Sequence, residues 1–101
     1  MAVRDTLSQF ALVRMEKGRV ISTVTVIFER EQHALNSHLM DLRHEYEDSI
    51  FSNMHLHVGT GYCVEIFMVR DEYVKVLDFI SRVRALRGIR EVKYTLTPID
   101  E

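Results

Sequence analysis

The alternation of hydrophobic and polar residues divides the chain into segments with two different periods. Three segments carry apolar residues at helical spacing, and in the clearest of them Leu35, Leu39 and Leu42 form one stripe. Four others are short and either rich in β-branched residues or alternate apolar with polar residues, as strands do. The pattern predicts helices at residues 2–15, 31–46 and 71–87, and strands at residues 20–28, 49–58, 62–70 and 89–97.

Residues that end helices and strands lie between these segments. Gly18 ends the first helix, and Gly59–Gly61 predicts a hairpin turn because glycine adopts positive φ without strain. Asp71 is a suitable N-cap for the last helix, and Gly88 a suitable residue just beyond its end. Pro98 is expected to stop the last strand because it has no backbone N–H to donate.

The order of elements predicts the fold. After the first helix it is β-α-β-β-α-β, the ferredoxin-like arrangement of the α+β class. Two helices can cover only one face of a four-stranded sheet, so the other face must be polar or meet a partner. Phe28, Phe67 and Val69 suggest that this other face is not fully polar. We therefore expect two units, a helix at residues 1–17 and a ferredoxin-like domain at residues 18–101.

The composition is that of one ordinary globular domain. A chain of 101 residues is too short for two cores, and no apolar run approaches the ~20 residues that span a membrane. Thirteen Lys and Arg face fifteen Asp and Glu, whereas a domain that holds DNA by itself usually has a basic face. A single cysteine, Cys63, excludes an internal disulfide, and the first ten residues have no signal-peptide core. We expect a cytoplasmic protein.

Candidate chemistry is concentrated around the hairpin. His55 and His57 alternate along one strand and share a face. With a three-residue turn, His57 lies opposite Cys63 and His55 opposite Glu65, with Cβ atoms about 4.5–5.5 Å apart. Imidazole and thiolate are good ligands for late first-row divalent ions, so this patch suits a metal.

Other interpretations of the same residues stay open at this point. A His-x-His pair also occurs as half-buried or exposed histidines, and a lone cysteine is often a small buried hydrophobe. A reactive Cys63–His57 pair would be a nucleophile. The sequence has neither an evident oxyanion loop nor room for a second lobe, so we do not expect an enzyme.

The spacing of four residues resembles that of a known family, the nickel-responsive regulators of the NikR type. Their pattern is a His, a His-x-His eleven residues later, and a Cys six residues after that pair; His44, His55, His57 and Cys63 match it. The resemblance covers residues 18 to about 97. It extends to the flanking segments His44–Tyr46, Met54–Val58, Cys63–Glu65 and Arg87–Ile89.

The resemblance implies an ACT-related module that forms a tetramer and binds Ni²⁺ at subunit interfaces. His55, His57 and Cys63 would be ligands from one subunit, and His44 would complete a square-planar site on a neighbour. Glu65 would orient a ligand histidine. Copper(II) accepts similar donors and should bind at least as tightly in vitro, whereas zinc would favour a tetrahedral site. Without the resemblance, His44 would be taken as a surface residue favoured at a helix end.

Four residues depart from the family pattern or lie outside it. Phe28 stands where a tyrosine is frequent, which removes a hydroxyl near the site. Arg43 replaces a frequent glutamine, and its positive charge could weaken metal binding. His33 and His38 match no ligand position and are expected on the helix surface.

Residues 2–7 resemble part of the second helix of a ribbon-helix-helix domain. In the family a DNA-contacting strand and a first helix precede that helix. We therefore expect no sequence-specific DNA binding by this chain alone, and DNA as a partner only if a complete domain is restored. A short natural homologue, a mis-started reading frame and a deliberately cut chain are equally compatible with this start.

These observations lead to one main functional hypothesis and two rivals. The main hypothesis is the nickel-sensing domain of a transcriptional regulator, a homotetramer or dimer in which metal occupancy favours one subunit arrangement. The first rival is a stand-alone metal-binding or storage protein. The second is an ACT-like domain that senses a small molecule, with incidental histidines.

Overall fold

The computed structural model describes residues 18–99, which form one antiparallel sheet and two helices. Across the sheet, the strands at residues 50–58, 62–72, 19–29 and 89–94 lie side by side in that order. A short fifth strand at residues 97–99 pairs with the beginning of the strand at residues 19–29. This is the predicted ferredoxin-like α+β fold; the predicted helix at residues 2–15 lies outside the described residues. The elements are β1 (Arg19–Glu29), α1 (His33–Glu45), β2 (Ile50–Val58), β3 (Tyr62–Glu72), α2 (Tyr73–Arg84), β4 (Ile89–Tyr94) and β5 (Thr97–Ile99).

Both helices pack on the same face of the sheet and form the core there. Alternate residues of β1 and β3 point to that face and are buried, while those between them are partly exposed. Leu35 and Leu39 of α1 and Val76 and Phe79 of α2 complete the core, with Phe79 edge-on to Phe67 of β3 at 5.4 Å between ring centroids.

The composition of the other face differs from the sequence-based expectation. Phe28, Phe67 and Val69, which were expected to make that face partly apolar, are buried on the helix side. The face opposite the helices, called the open face below, is nevertheless partly apolar, because other residues supply apolar side chains there. The exposed side chains on that face include Met54, Leu56, Val58, Tyr62 and Met68.

Three predicted boundaries were wrong. Asp71 does not cap α2, whose N-cap is Glu72. It is the second-last residue of β3, and its carboxylate accepts hydrogen bonds from the Ser49 hydroxyl and from the backbone N–H of Glu72. Gly88 has the expected positive φ of 98° but lies three residues beyond the C-cap, Ala85. Pro98 does not end the sheet, because it pairs with Val20 as part of β5.

No helix within residues 18–99 is long and apolar enough to cross a membrane.

Candidate metal centre

The β2–β3 hairpin brings the candidate ligands together. Its three-residue loop places His57 opposite Cys63 and His55 opposite Glu65, which is the register predicted from the loop length. Of its two glycines only Gly59 uses a positive φ, of 62°. The register puts all four side chains on the face that also bears the helices, two on the edge strand β2 and two on its neighbour β3.

Three of the four predicted ligands form one cluster. The donor atoms of His55, His57 and Cys63 all lie within 4.8 Å of one another. The Cys63 Sγ is 3.8 Å from Nδ1 of His57, and the two imidazole rings are 5.3 Å apart between centroids. Cys63 is buried, whereas both histidines are exposed. Two imidazoles and a thiol at this spacing fit a late first-row divalent ion and leave room for a further donor from outside.

Glu65 organises the ring of His55. Its side chain is 1% exposed and accepts from two groups: Nδ1 of His55 at 2.7 Å and Nδ2 of Asn53 at 2.9 Å. Because the Nδ1–H of His55 faces this carboxylate, Nε2 is the ring nitrogen left for a metal. On its other side the His55 ring lies near Phe28, 6.1 Å away between centroids, where a tyrosine would offer a hydroxyl.

A cavity of about 540 Å³ adjoins the cluster on the hairpin-loop side. It is lined by residues of the hairpin, including His57 and Cys63, and by four residues between the end of β1 and the start of α1: Glu29, Arg30, Glu31 and His33. His33 lines this cavity without belonging to the donor cluster. The cluster is therefore reachable from solvent.

His44 lies apart from the cluster. It is the second-last residue of α1, its side chain is 83% exposed, and its Nδ1 is 3.9 Å from a carboxylate oxygen of Glu47. The other two histidines of this helix, His33 and His38, are also exposed. One chain thus supplies three of the four predicted donors at one place, and the role of His44 stays a prediction.

One polar residue near the site, Asn53, was not assigned a role from the sequence. The Asn53 side chain donates to Glu65 and accepts from Nε of Arg43 at 2.6 Å. Because Asn53 lies two residues before His55 on the same strand, strand alternation predicts that both side chains lie on the same face of the sheet. Its contact with Arg43 joins a strand to a helix and requires the tertiary fold.

The fold and the His–His–Cys cluster define the class of protein as a ferredoxin-like domain with a candidate metal site at the edge of its sheet. The chain belongs to the family of NikR C-terminal nickel-binding domains, whose model matches residues 21–97. This confirms the resemblance noted in the sequence and makes Ni²⁺ the metal of the family.

Two relatives have names that assign them to the nickel-responsive regulators. The protein of Haloarcula marismortui is 34% identical over 100 residues, which cover 99% of this chain and 72% of the relative. The protein of Halobacterium salinarum strain R1 is 32% identical over 100 residues, which cover 99% of this chain and 70% of the relative.

Solved structures show the same fold at low sequence identity. The ACT domain of the GTP pyrophosphokinase of Chlorobium tepidum superposes with a TM-score of 0.62 at 11% identity, covering 76% of this chain and 86% of that domain. The C-terminal domain of MgtC from Mycobacterium tuberculosis gives 0.58 at 11% identity, covering 81% and 92%. These matches confirm the predicted ACT-like fold.

Proposed function

We propose that this domain is the nickel sensor of a transcriptional regulator and that it binds Ni²⁺ between subunits. His55, His57 and Cys63 of one subunit and His44 of a neighbour are the proposed ligands. The observation that carries the proposal is the convergence of three donor atoms within 4.8 Å on a single hairpin. The relatives are regulators by name, which accords with the expectation that Cys63 is not a catalytic nucleophile.

Each residue has a distinct task in this proposal. Cys63 supplies the thiolate from a buried position on β3. Glu65 holds the His55 ring so that Nε2 points away from the carboxylate. A bound divalent ion would link donors of two chains, so metal binding and subunit arrangement become coupled equilibria.

The domain has two different surfaces that we propose contact neighbouring subunits. The His55–His57–Cys63 cluster lies on the helix side of the β2–β3 hairpin, whereas the exposed apolar residues Met54, Leu56 and Met68 lie on the opposite face. Two distinct twofold interfaces on one subunit generate a tetramer with dihedral symmetry. Metal at one interface would then favour one arrangement of the whole tetramer, which is how occupancy would reach an attached DNA-binding unit.

The test is complementation between two defective subunits. His44→Ala and Cys63→Ala should each abolish the thiolate-to-nickel charge-transfer absorption when made separately. In a co-expressed mixture, some interfaces join an intact His55–His57–Cys63 set to a neighbour that keeps His44, so part of the absorption should return. The matched control is His38→Ala, an exposed histidine of the same helix, which should keep the full spectrum.

Two results would contradict the proposal. If all four donors came from one chain, purified mixed oligomers would show no recovery, which rejects the shared site. Nickel absorption that survives Cys63→Ala unchanged would reject the ligand set itself.

A further inference from the structure

Asn53 contacts two residues that lie beside proposed metal ligands. One is Glu65, which contacts His55, and the other is Arg43, which precedes His44. Its side chain lies on the helix side of β2, two residues before His55. Its amide nitrogen donates to Oε2 of Glu65 at 2.9 Å, and its amide oxygen accepts from Nε of Arg43 at 2.6 Å. One small side chain thus touches the carboxylate that holds His55 and the residue that precedes His44.

The bond to Glu65 fixes the direction of a buried carboxylate. A carboxylate withdrawn from water needs donors on both oxygens. Asn53 occupies Oε2, which leaves Oε1 facing Nδ1 of His55 at 2.7 Å. Without the Asn53 amide, the carboxylate could rotate about its terminal torsion toward another donor and release the imidazole ring.

The bond to Arg43 anchors the last turn of α1. A guanidinium donor makes a charge-assisted hydrogen bond, which is shorter and stronger than a neutral one. It also polarises the amide of Asn53 and strengthens the donor that faces Glu65. The charge of Arg43 therefore acts on Glu65 through the neutral amide of Asn53. The same hydrogen bond links the last turn of α1, which carries His44, to β2.

We propose that Asn53 is a positioning residue of the metal site. Through Glu65 it sets the tautomer of His55, and through Arg43 it holds the turn that presents His44. The inference rests on the proposed function, because it assigns a role toward the same ligands.

Two substitutions separate the two contacts. Asn53→Asp keeps the shape and the acceptor for Arg43, but it places a carboxylate oxygen against Glu65 where a donor stood. Arg43→Met keeps an unbranched apolar chain and removes the donor, and it leaves the bond between Asn53 and Glu65 in place. Ser52→Ala, at the exposed neighbouring position, is the matched control.

The first measurement uses the metal-free protein. Nitrogen-15 spectra of the side chains, recorded at about pH 8.5, distinguish the two neutral imidazole tautomers from each other and from the imidazolium form. His55 should carry its proton on Nδ1 in the native protein, in Ser52→Ala and in Arg43→Met. In Asn53→Asp its spectrum should move toward the Nε2–H tautomer.

The second measurement is nickel affinity by competition with a chelator. Asn53→Asp should weaken binding about tenfold or more, the usual cost of losing a residue that supports a ligand. Arg43→Met should weaken it by a smaller factor, and Ser52→Ala should match the native protein. If Asn53→Asp does not fold by circular dichroism, Asn53→Ala removes both hydrogen bonds without adding charge and takes its place.

The outcomes distinguish the inference from the function on which it rests. An Nδ1–H tautomer and a nickel affinity within twofold of native in the folded Asn53 variant would overturn the inference. Retention of native nickel affinity in His55→Ala and Cys63→Ala would instead overturn the ligand set.

Discussion

Ser22 is a polar residue in the middle of an apolar core. It lies on β1 between Val20 and Val24, opposite Val69 of β3, and it is 1% exposed. Within residues 18–99 its hydroxyl has no hydrogen-bond partner. A buried hydroxyl that has lost water without gaining a protein partner costs about 1–3 kcal/mol.

Replacing Ser22 with alanine should therefore stabilise the domain. We expect Ser22→Ala to raise the free energy of unfolding by about 1 kcal/mol, since it removes the unpartnered group and only one heavy atom of packing. Urea denaturation at matched protein concentration should show a higher midpoint at an unchanged slope. The exposed Ser52→Ala should stay within about 0.5 kcal/mol of native. A loss of stability in Ser22→Ala would mean that the hydroxyl has a partner.

At the scale of elements, the end of α1 is joined to α2 by a polar cluster. The Tyr46 hydroxyl donates to Asp78 and accepts from Nη1 of Arg82 at 3.2 Å, and Arg82 also pairs with Glu45. The Tyr46 ring packs edge-on against Phe79, 5.2 Å away between centroids. Burial, followed by the hydrogen bond and charge of Asp78, raises the pKa of Tyr46 to about 12. Glu45 and Tyr46, the two residues that follow His44, therefore both contact side chains of α2.

Tyr46→Phe isolates the contribution of that hydroxyl. It keeps the ring packing and should cost about 0.5–1.5 kcal/mol at neutral pH, the usual value of one hydrogen bond. Because the pKa is raised in the folded state, the neutral hydroxyl stabilises the fold at pH values below the unfolded pKa of 10.0. The advantage of the native protein over Tyr46→Phe should then shrink as the pH rises from about 10 to about 12.

The measurement is denaturant unfolding of both proteins across this pH range. Tyr94→Phe, which removes an exposed hydroxyl, should leave the stability at neutral pH within about 0.5 kcal/mol. A difference between native and Tyr46→Phe that stays constant up to pH 12 would contradict the assignment to the hydroxyl.

At the scale of the whole molecule, the open face of the sheet has the character of a subunit interface. It presents Met54, Leu56, Val58 and Met68 side by side on neighbouring strands, and each is at least partly exposed. Contiguous exposed apolar patches mark interaction sites more often than scattered apolar residues do. This patch and the metal ligands lie on opposite faces, so the two contacts can coexist in one assembly.

A charge placed in this patch should break the assembly. Leu56 is 40% exposed, and Leu56→Glu would bury an unpaired carboxylate at the proposed interface. We expect light scattering to give half of the native mass or less. Val74→Glu, at a position on α2 that is 69% exposed, introduces the same charge elsewhere and should keep the native mass. A native mass for folded Leu56→Glu would exclude this face as an interface.

The local pattern of the chain was sufficient for the kind and order of the elements from β1 to β4, but it did not predict β5. Periodicity and turn residues act over a few positions, so they predict a stripe such as Leu35, Leu39 and Leu42 without knowledge of the fold. The register of the β2–β3 hairpin followed from its three-residue loop, and with it the pairing of His57 with Cys63. The ligand spacing was likewise local enough to reveal the family.

The tertiary structure decided what depends on contacts between elements distant in the chain. Alternation sorts strand residues into two sets, but only the packing of the helices decides which set is buried; Phe28 and Phe67 were misplaced for that reason. Pro98 could pair because the beginning of β1 had an edge left open for β5. The contacts of Asn53 with Arg43 and Glu65 join three elements, so only folding brings together the groups that hold His55.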